Sequence, residues 1–585
     1  MLTANPNRSM NEPALAWVAV GIGLDGVLWI AAAVSSRLSG HHWLAWNPIA
    51  PITAFKYFSR PSQAWGSPIP PILYWAIGLV FAFAYGIVIL LLWRNTRSQR
   101  RDHRDPLRAE GMADRAQVRF FAGRRSVERR APVVRPSLSK AGAGDVGYLL
   151  GRSRGLECWA SVEDSILLLG PPRSGKGHNV VIPTILDAPG AVVTTSTRPD
   201  NLTLTLGIRT RRGPVAVFDP QRIAAAPGLV PTVRWSPVRG CQLARTAISR
   251  ATALVADPRG SGVENGNFWY QQTLTAVRCL LHAAAVDGRT PADLYKWSHA
   301  AAGAKDAIAI LARNPGATPG WDRALDAIVS SDQRTRDSVW AMVANAFAPL
   351  ADPAVLESVS PEAEGAFDPA RFVSQSGTLY LLGTASGGTA TANLIAALIE
   401  DMVEAARRLA ARSAGGRLEP PLALVLDEAA NYPLPSLPAL MSEGGGSGIT
   451  TLAVIQSLSQ ARDRWGREAA GAIWDSAVVK VVLGGSSNSD DLADISRLVG
   501  ERDTPERSET VGGGRAGRSV STQNRPRPIL EPASIRRIPV GHGLLLLRSA
   551  PPIMMRLRPW TARPDAADLA SDRRTFETAM RGSDG

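Results

Sequence analysis

Leu167-Leu168-Leu169, the end of a strand expected over Ser165–Leu169, leads into Gly170-Pro171-Pro172-Arg173-Ser174-Gly175-Lys176-Gly177-His178, and Asn179–Leu186 continues as the start of a helix. No other stretch narrows the fold as far. Strand, glycine-bracketed turn closed by lysine, and helix together describe a phosphate-binding loop. The glycines let successive backbone N–H groups wrap a β-phosphate. The helix N-terminus adds its positive end, and Lys176 reaches the β- and γ-oxygens. Gly170 through His178 are therefore the candidate nucleotide-binding residues. The hydroxyl residue that usually follows the lysine is replaced by Gly177, so water or another side chain must fill that position on Mg²⁺.

Around this loop, short apolar runs alternate with amphipathic stretches. Strands are expected at Ala191–Thr195, Val215–Phe218, Thr378–Leu382, Leu422–Leu426, Thr450–Gln456, Val478–Leu483 and Leu544–Leu547, with helices at Asn393–Leu409 and Gln460–Ala470. Continuous apolar strands separated by helices predict a mostly parallel α/β sheet covered on both faces. Residues 243–370 break the rhythm with alanine-rich helical patterns such as Tyr270–Ala285, which reads as an all-α insertion.

Leu422–Leu426 ends in Asp427-Glu428. Two acids at the end of a buried strand are costly unless they meet a cation or water. The arrangement that resolves this puts Asp427 on Mg²⁺ and lets Glu428 polarise the attacking water of a nucleoside-triphosphate hydrolase. Gln456, ending the next strand, is placed to sense the γ-phosphate or orient water. Arg334, Arg336 and Arg462 are candidates for a charge-stabilising arginine supplied between subunits.

Two apolar segments precede the α/β region. Ala14–Val34 carries one charge, Asp25, and Ile72–Trp93 carries none. Each reaches roughly 30 Å as a helix, enough for a bilayer core. Arg94, Arg97, Arg100, Arg101, Arg104 and Arg108 follow the second, whereas the intervening loop 35–71 has Arg37, Lys56 and Arg60. The excess of positive charge predicts that both ends and the main domain lie in the cytoplasm, with the loop outside. Gly21, Gly23 and Gly26, around Asp25, allow close helix approach. Residues 94–140 read as a basic juxtamembrane linker.

The chain of 585 residues carries a net charge of +14, and only six of its 65 basic residues are lysine. That balance is met equally by a composition bias toward arginine and by an anionic partner, nucleic acid or lipid. Three cysteines, Cys158, Cys241 and Cys279, match no zinc spacing, which excludes a disulfide scaffold or zinc finger and fits a reducing compartment.

In order, these motifs resemble the type IV secretion coupling proteins, the VirD4/TraG-like ATPases of bacterial conjugation. The likeness runs through residues 170–177 into Val180-Val181-Ile182-Pro183-Thr184. It continues with Val217-Phe218-Asp219-Pro220, Asn267-Phe268-Trp269, Asp427-Glu428-Ala429-Ala430-Asn431, Ile455-Gln456-Ser457 and Leu530–Ile535 before a closing strand pair. Glycine after the loop lysine is similar to many members. The resemblance implies a RecA-like P-loop core with an inserted all-α domain behind a two-helix transmembrane anchor. It divides the chain into an anchor at 1–93, a linker at 94–140, a nucleotide-binding domain at 141–242 and 371–560, the insertion at 243–370 and a polar tail at 561–585. It further implies ATP and Mg²⁺ as cofactors and a homohexamer, multi-pass in the bacterial inner membrane. That assembly would hand a relaxase–single-stranded DNA substrate to the channel components of a type IV secretion system.

Two segments depart from the family pattern. Thr195-Ser196-Thr197-Arg198-Pro199-Asp200 stands where an Asp-Pro-Lys type segment is usual, and Glu443–Gly448 lacks an arginine. Residues 502–527 read as a Gly/Ser/Arg-rich solvated loop or one that meets phosphates. A nucleotide-switched receptor that docks protein without moving DNA, and a chromosomal double-stranded DNA pump, remain alternatives.

Overall fold

The computed structural model describes residues 12–102, 110–223, 230–255, 266–362, 366–383, 389–510 and 519–582. The chain divides into two compact units, residues 1–105 and 106–585.

The first unit is built on two long helices, Glu12–Leu38 and Pro71–Asp102. They approach through small residues: a Cβ added at Gly23 would lie 1.9 Å from the Tyr85 hydroxyl, and one at Gly78 would meet Ala31 and Leu28 at ordinary contact distance. Gly26 has open space around it, so only Gly23 of that pair is demanded by crowding. Pro71–Leu90 is long and apolar enough to cross a membrane. Among the described residues it is the one segment that meets that criterion. The side chains of the first expected span lie partly outside the described residues.

Among its described residues the second unit contains thirteen strands: β1 (Gly147–Ser153), β2 (Leu156–Ser161), β3 (Ile166–Leu169), β4 (Val192–Ser196), β5 (Val215–Phe218), β6 (Thr378–Leu382), β7 (Leu422–Leu426), β8 (Ile449–Ile455), β9 (Val479–Val482), β10 (Glu501–Thr510), β11 (Ser519–Pro528), β12 (His542–Leu547) and β13 (Ile553–Leu557). Eleven form one mixed sheet in the order β2-β1-β13-β12-β9-β3-β8-β7-β4-β6-β5. From β9 to β5 all neighbours are parallel; β12, β13, β1 and β2 are added antiparallel.

The parallel strands are buried on both faces, which is why their sequences do not alternate. Leu167, Leu169, Leu424 and Leu426 join the core that continues into the helical region. Ile166, Leu168, Ala423 and Val425 face Val180, Val181 and Ile185 on the other side. Between β5 and β6 every described element is helical, from Ala244–Leu254 through Gly266–Val286 and Gln333–Phe347 to Pro369–Ser374.

Three regions differ from the sequence expectation. Residues 94–140 are not a continuous linker: the long helix runs on to Asp102, and Arg115–Phe121, Arg124–Glu128 and Ala131–Val134 are short helices anchored by buried Val118, Val127 and Val134. A reciprocal cap between Asp114 and Gln117 opens the first of these. Helices this short leave no long apolar period to read. Residues 502–527 fold mostly as the antiparallel ribbon β10–β11, outside the main sheet, and residues 511–518 lie outside the described residues. The polar tail folds as helix Ala566–Gly582, whose Leu569 packs on Ile182, Leu186 and Leu204 and whose Phe576 packs on Leu202 and Tyr380.

Candidate nucleotide-binding site

β3 delivers the chain to the glycine-bracketed loop, and Gly170 N–H closes onto the Ile455 carbonyl at 3.1 Å, tying the loop to the end of β8. Arg173 and Gly175 both take left-handed backbone conformations, φ +62° and +85°. A Cβ at Gly175 would stand 2.5 Å from Asn179 Nδ2, so the position is closed to larger residues twice over. Asn179 donates to the Gly175 carbonyl from both its backbone N–H and its side-chain amide, each at 2.9 Å. Ser174 Oγ turns back to the Pro171 carbonyl at 2.7 Å. Gly177–Val181 begins the following helix as a wide π turn before Ile182–Asp187 takes regular α form. Gly177 itself has nothing within 4 Å of an added Cβ and no left-handed φ, so crowding does not require glycine there.

β7 lies one strand beyond β8, with Leu426 opposite Ala453. The loop after β3 and the acids after β7 therefore emerge at the same, carboxyl, edge of the parallel strands, about 10 Å apart across the intervening strand. The backbone turns sharply there: Glu428 has φ +52°, and Ala429–Asn431 is a single helical turn. Asn431 Nδ2 donates to Glu428 Oε2 at 2.9 Å, and Thr197 Oγ1 reaches the same oxygen at 3.5 Å. Thr195 Oγ1 donates to the Asp427 carbonyl at 2.8 Å. The Tyr432 hydroxyl bonds to the Gly383 carbonyl, crossing from β7 toward β6.

The electrostatics join the two halves. Burial pushes the Asp427 carboxyl up to about 6, the neighbouring Glu428 charge adds to this, and Lys176 opposes it. Burial lowers the Lys176 ammonium, against the pull of Asp427 and Glu428. Lys176, Asp427 and Glu428 thus share one partly dehydrated place. The two carboxylates are oxygen donors of the kind a divalent cation takes. No group of three His, Cys, Asp or Glu side chains with metal-ligand geometry occurs among the described residues. A cation here would therefore depend on phosphate oxygens and water as well as on Asp427.

Gln456 directly follows β8, its backbone N–H donating to Gln460 Oε1 at 3.2 Å, and stands beside the start of the loop. His178 is exposed, its ring edge-on to Trp560 with centroids 5.7 Å apart. Arg462 is engaged within its own chain by Asp491 and Asp494, at 3.5 and 3.3 Å. Arg336 pairs with Asp337 on the helical insertion. Thr195, Thr197 and Asn431 are site residues to which the sequence assigned no role. The Thr-Ser-Thr departure from the family pattern retains a polar network around the acids. Glu443–Gly448 is shaped by packing: a Cβ at Gly445 would collide with the Glu163 carbonyl at 1.9 Å.

Residues 128–280 match the family described as type IV secretory system conjugative DNA transfer, and residues 421–540 match the TraM recognition site of TraD and TraG. The two segments carry the phosphate loop and the acid pair respectively. Two separate segments of the chain are thus similar to families of the type IV coupling proteins. It is 32% identical over 141 residues, 22% of its length, to the conjugal transfer protein TraG of Escherichia coli, and this match spans 21% of that relative. Among solved structures, this chain resembles the bacterial conjugative coupling protein TrwBdeltaN70 in its unbound monoclinic form. That match has a TM-score of 0.51 and 18% identity, over 75% of this chain and 92% of the other. The plasmid coupling protein TrwB in complex with ADP and Mg²⁺ matches with a TM-score of 0.52 and 19% identity over 75% and 93%. TrwB bound to a non-hydrolysable ATP analogue, ADPNP, gives 0.53 and 19% over the same shares. At these identities the likeness speaks for the fold.

Proposed function

We propose that this chain is the membrane-anchored ATPase that couples a relaxase–single-stranded DNA substrate to a type IV secretion channel. The observation that carries the reading is the meeting of Lys176, Asp427 and Glu428 at one edge of the sheet, in a chain that matches both coupling-protein segments. In this reading the amides of residues 170–178 cradle the β-phosphate and Lys176 neutralises the β- and γ-oxygens. Asp427 would hold Mg²⁺, and the ion would supply charge neutralisation at the phosphates. Glu428, fixed by Asn431 and Thr197, orients and polarises the attacking water. Gln456, tethered beside the loop, reports the presence of the γ-phosphate to β8 and the helix beyond it. TrwB, a structural relative, is known with ADP and Mg²⁺ bound, which supports the same pair of cofactors here.

A two-helix anchor in the bacterial inner membrane, a cytoplasmic main domain and a homohexamer complete the proposal. The long apolar helix Pro71–Leu90 followed by arginines supports the anchor. The decisive experiment measures phosphate release by the purified full chain with and without single-stranded DNA, for wild type, Lys176→Ala and Glu428→Gln. DNA-stimulated turnover that falls steeply with salt and is lost in both variants is the expected result. Equal turnover in all three proteins would sink the site assignment, and indifference to DNA would sink the substrate.

A further inference from the structure

Between the two long N-terminal helices, residues 39–70 fold into a small cap. Its short helices, Ala50–Lys56 and Ser62–Trp65, turn their inner sides to the helix ends: Ala50, Ala54, Trp65 and Ile69 are buried with Ala31, Ala32 and Tyr74. The outer side is the reverse of what water selects. Trp43, Trp46, Ile49, Ile52, Phe55 and Phe58 are all 51–71% exposed, within sixteen residues of sequence. A soluble surface seldom leaves so dense a run of large apolar groups open.

These groups are held in place. Phe58 stacks on Trp75 with centroids 4.5 Å apart, and Phe55 lies 5.2 Å from the same ring. Trp75 Nε1 donates to the Phe58 carbonyl at 2.9 Å, and Trp29 Nε1 donates to the Ala45 carbonyl at 3.3 Å. Trp75 belongs to the first turns of the helix that contains Pro71–Leu90, and that helix exposes Ile72, Leu79 and Phe83 as fully as the cap exposes its aromatics. Through Trp75 the apolar surface of the span adjoins the aromatic side of the cap. Residues 39–70 contain Lys56 and Arg60 and no aspartate or glutamate.

We infer that the cap is an interfacial element: its aromatic and aliphatic face lies in the headgroup–acyl boundary of the leaflet opposite the arginines at 94–101. Trp and Tyr rings settle at that depth, and an apolar face of this kind gains affinity by burying there while flanking cations meet lipid phosphate. Lys56 and Arg60 supply those cations. The occupant is the lipid surface, and the inference rests on reading Pro71–Leu90 as a membrane span.

The test uses the full chain reconstituted in vesicles of phosphatidylethanolamine and phosphatidylglycerol. Cys158, Cys241 and Cys279 are buried, so an environment-sensitive label goes to an introduced cysteine. Phe55→Cys and Ile52→Cys report the cap, and Phe83→Cys reports the span. Nitroxide lipids labelled near the headgroup should quench both cap positions several-fold more than aqueous iodide does. Iodide quenching at the cap with lipid quenching at Phe83→Cys overturns the inference and leaves the span standing. Lipid quenching at none of the three overturns the span itself. Shielding of the cap only when other secretion proteins are present assigns the surface to a protein partner and overturns the lipid reading.

Discussion

The eleven-stranded sheet has two halves that follow different rules. From β9 to β5 the strands are parallel, buried on both faces, and end in loops that gather at one edge; Lys176, Asp427, Glu428 and Gln456 all leave from there. From β12 to β2 the strands are antiparallel, joined largely through short turns, and supply none of those side chains. The parallel half pays for its site with dehydrated charges and left-handed residues such as Arg173 and Glu428. The antiparallel wing instead closes the sheet edge by tight backbone packing, seen at Gly151, where a bulge in β1 brings the Arg556 carbonyl within 2.3 Å of an added Cβ. Chemistry and closure are therefore separable, and substitutions should separate them.

The sharpest break is expected at Glu428. Glu428→Gln keeps the shape of the side chain and its bond to Asn431 while removing the charge proposed to polarise water. Turnover should fall by about 10²–10³-fold, with Mg²⁺–nucleotide affinity changed only a few-fold. Phosphate release and nucleotide titration on the same preparation check both halves of that statement. Unchanged turnover would move catalysis away from β7.

Asp427 gives the next effect, and its sign runs two ways. Its folded-state carboxyl sits at about 6, above the ordinary value of 3.8. Without nucleotide the native state therefore holds more protons than the unfolded chain between those values. Stability from this group is greatest below about 4 and declines as pH rises to about 6, by ~3 kcal/mol at most. Turnover moves oppositely, because Mg²⁺ needs the ionised form: kcat/KM should drop as pH falls through about 6. Asp427→Asn should flatten the pH dependence of apo stability, raise Tm near pH 8 and abolish most activity. A variant that loses Tm at pH 8 contradicts the assignment of a buried, uncompensated charge.

In the wing, Gly151→Ala should cost about 1–3 kcal/mol of stability, read as a lower Tm, with kcat per folded molecule unchanged. A fall in kcat at constant folded fraction would show that the two halves are coupled.

The same division sets what the sequence reveals. The eight strands expected from continuous apolar runs are all present, seven of them in the parallel half, because burial on both faces writes itself as an unbroken hydrophobic stretch. β1 and β2 carry no such run: Gly147, Gly151 and Arg152 interrupt β1, and Glu157 interrupts β2. The ribbon β10–β11 has almost no apolar residues to signal it and is held by ladder hydrogen bonds. Helix Ala566–Gly582 reads as polar because Leu569 and Phe576, seven residues apart, supply much of its buried contact. At the site, the phosphate loop and the acids are legible as local strings. Thr195, Thr197 and Asn431 are not, since their role exists only once β4 and β7 lie side by side.

The smallest expected effect tests how finely the parallel half is tuned. Gly177 occupies the place of the missing hydroxyl, yet an added Cβ would meet nothing within 4 Å and the backbone needs no left-handed angle. Ser174, the nearest hydroxyl in the loop, is turned away onto the Pro171 carbonyl, so it does not stand in. Gly177→Ser should fit without strain, and replacing glycine inside the first helical turn adds a few tenths of a kcal/mol of local stability. If water fills the vacant coordination position, the new hydroxyl displaces it, and half-saturation by Mg²⁺ should fall about 2- to 10-fold, with nucleotide affinity in chelator unchanged. If Mg²⁺ dependence does not move, a side chain of this chain or of a neighbouring subunit already fills that position, and the loop is complete as it stands.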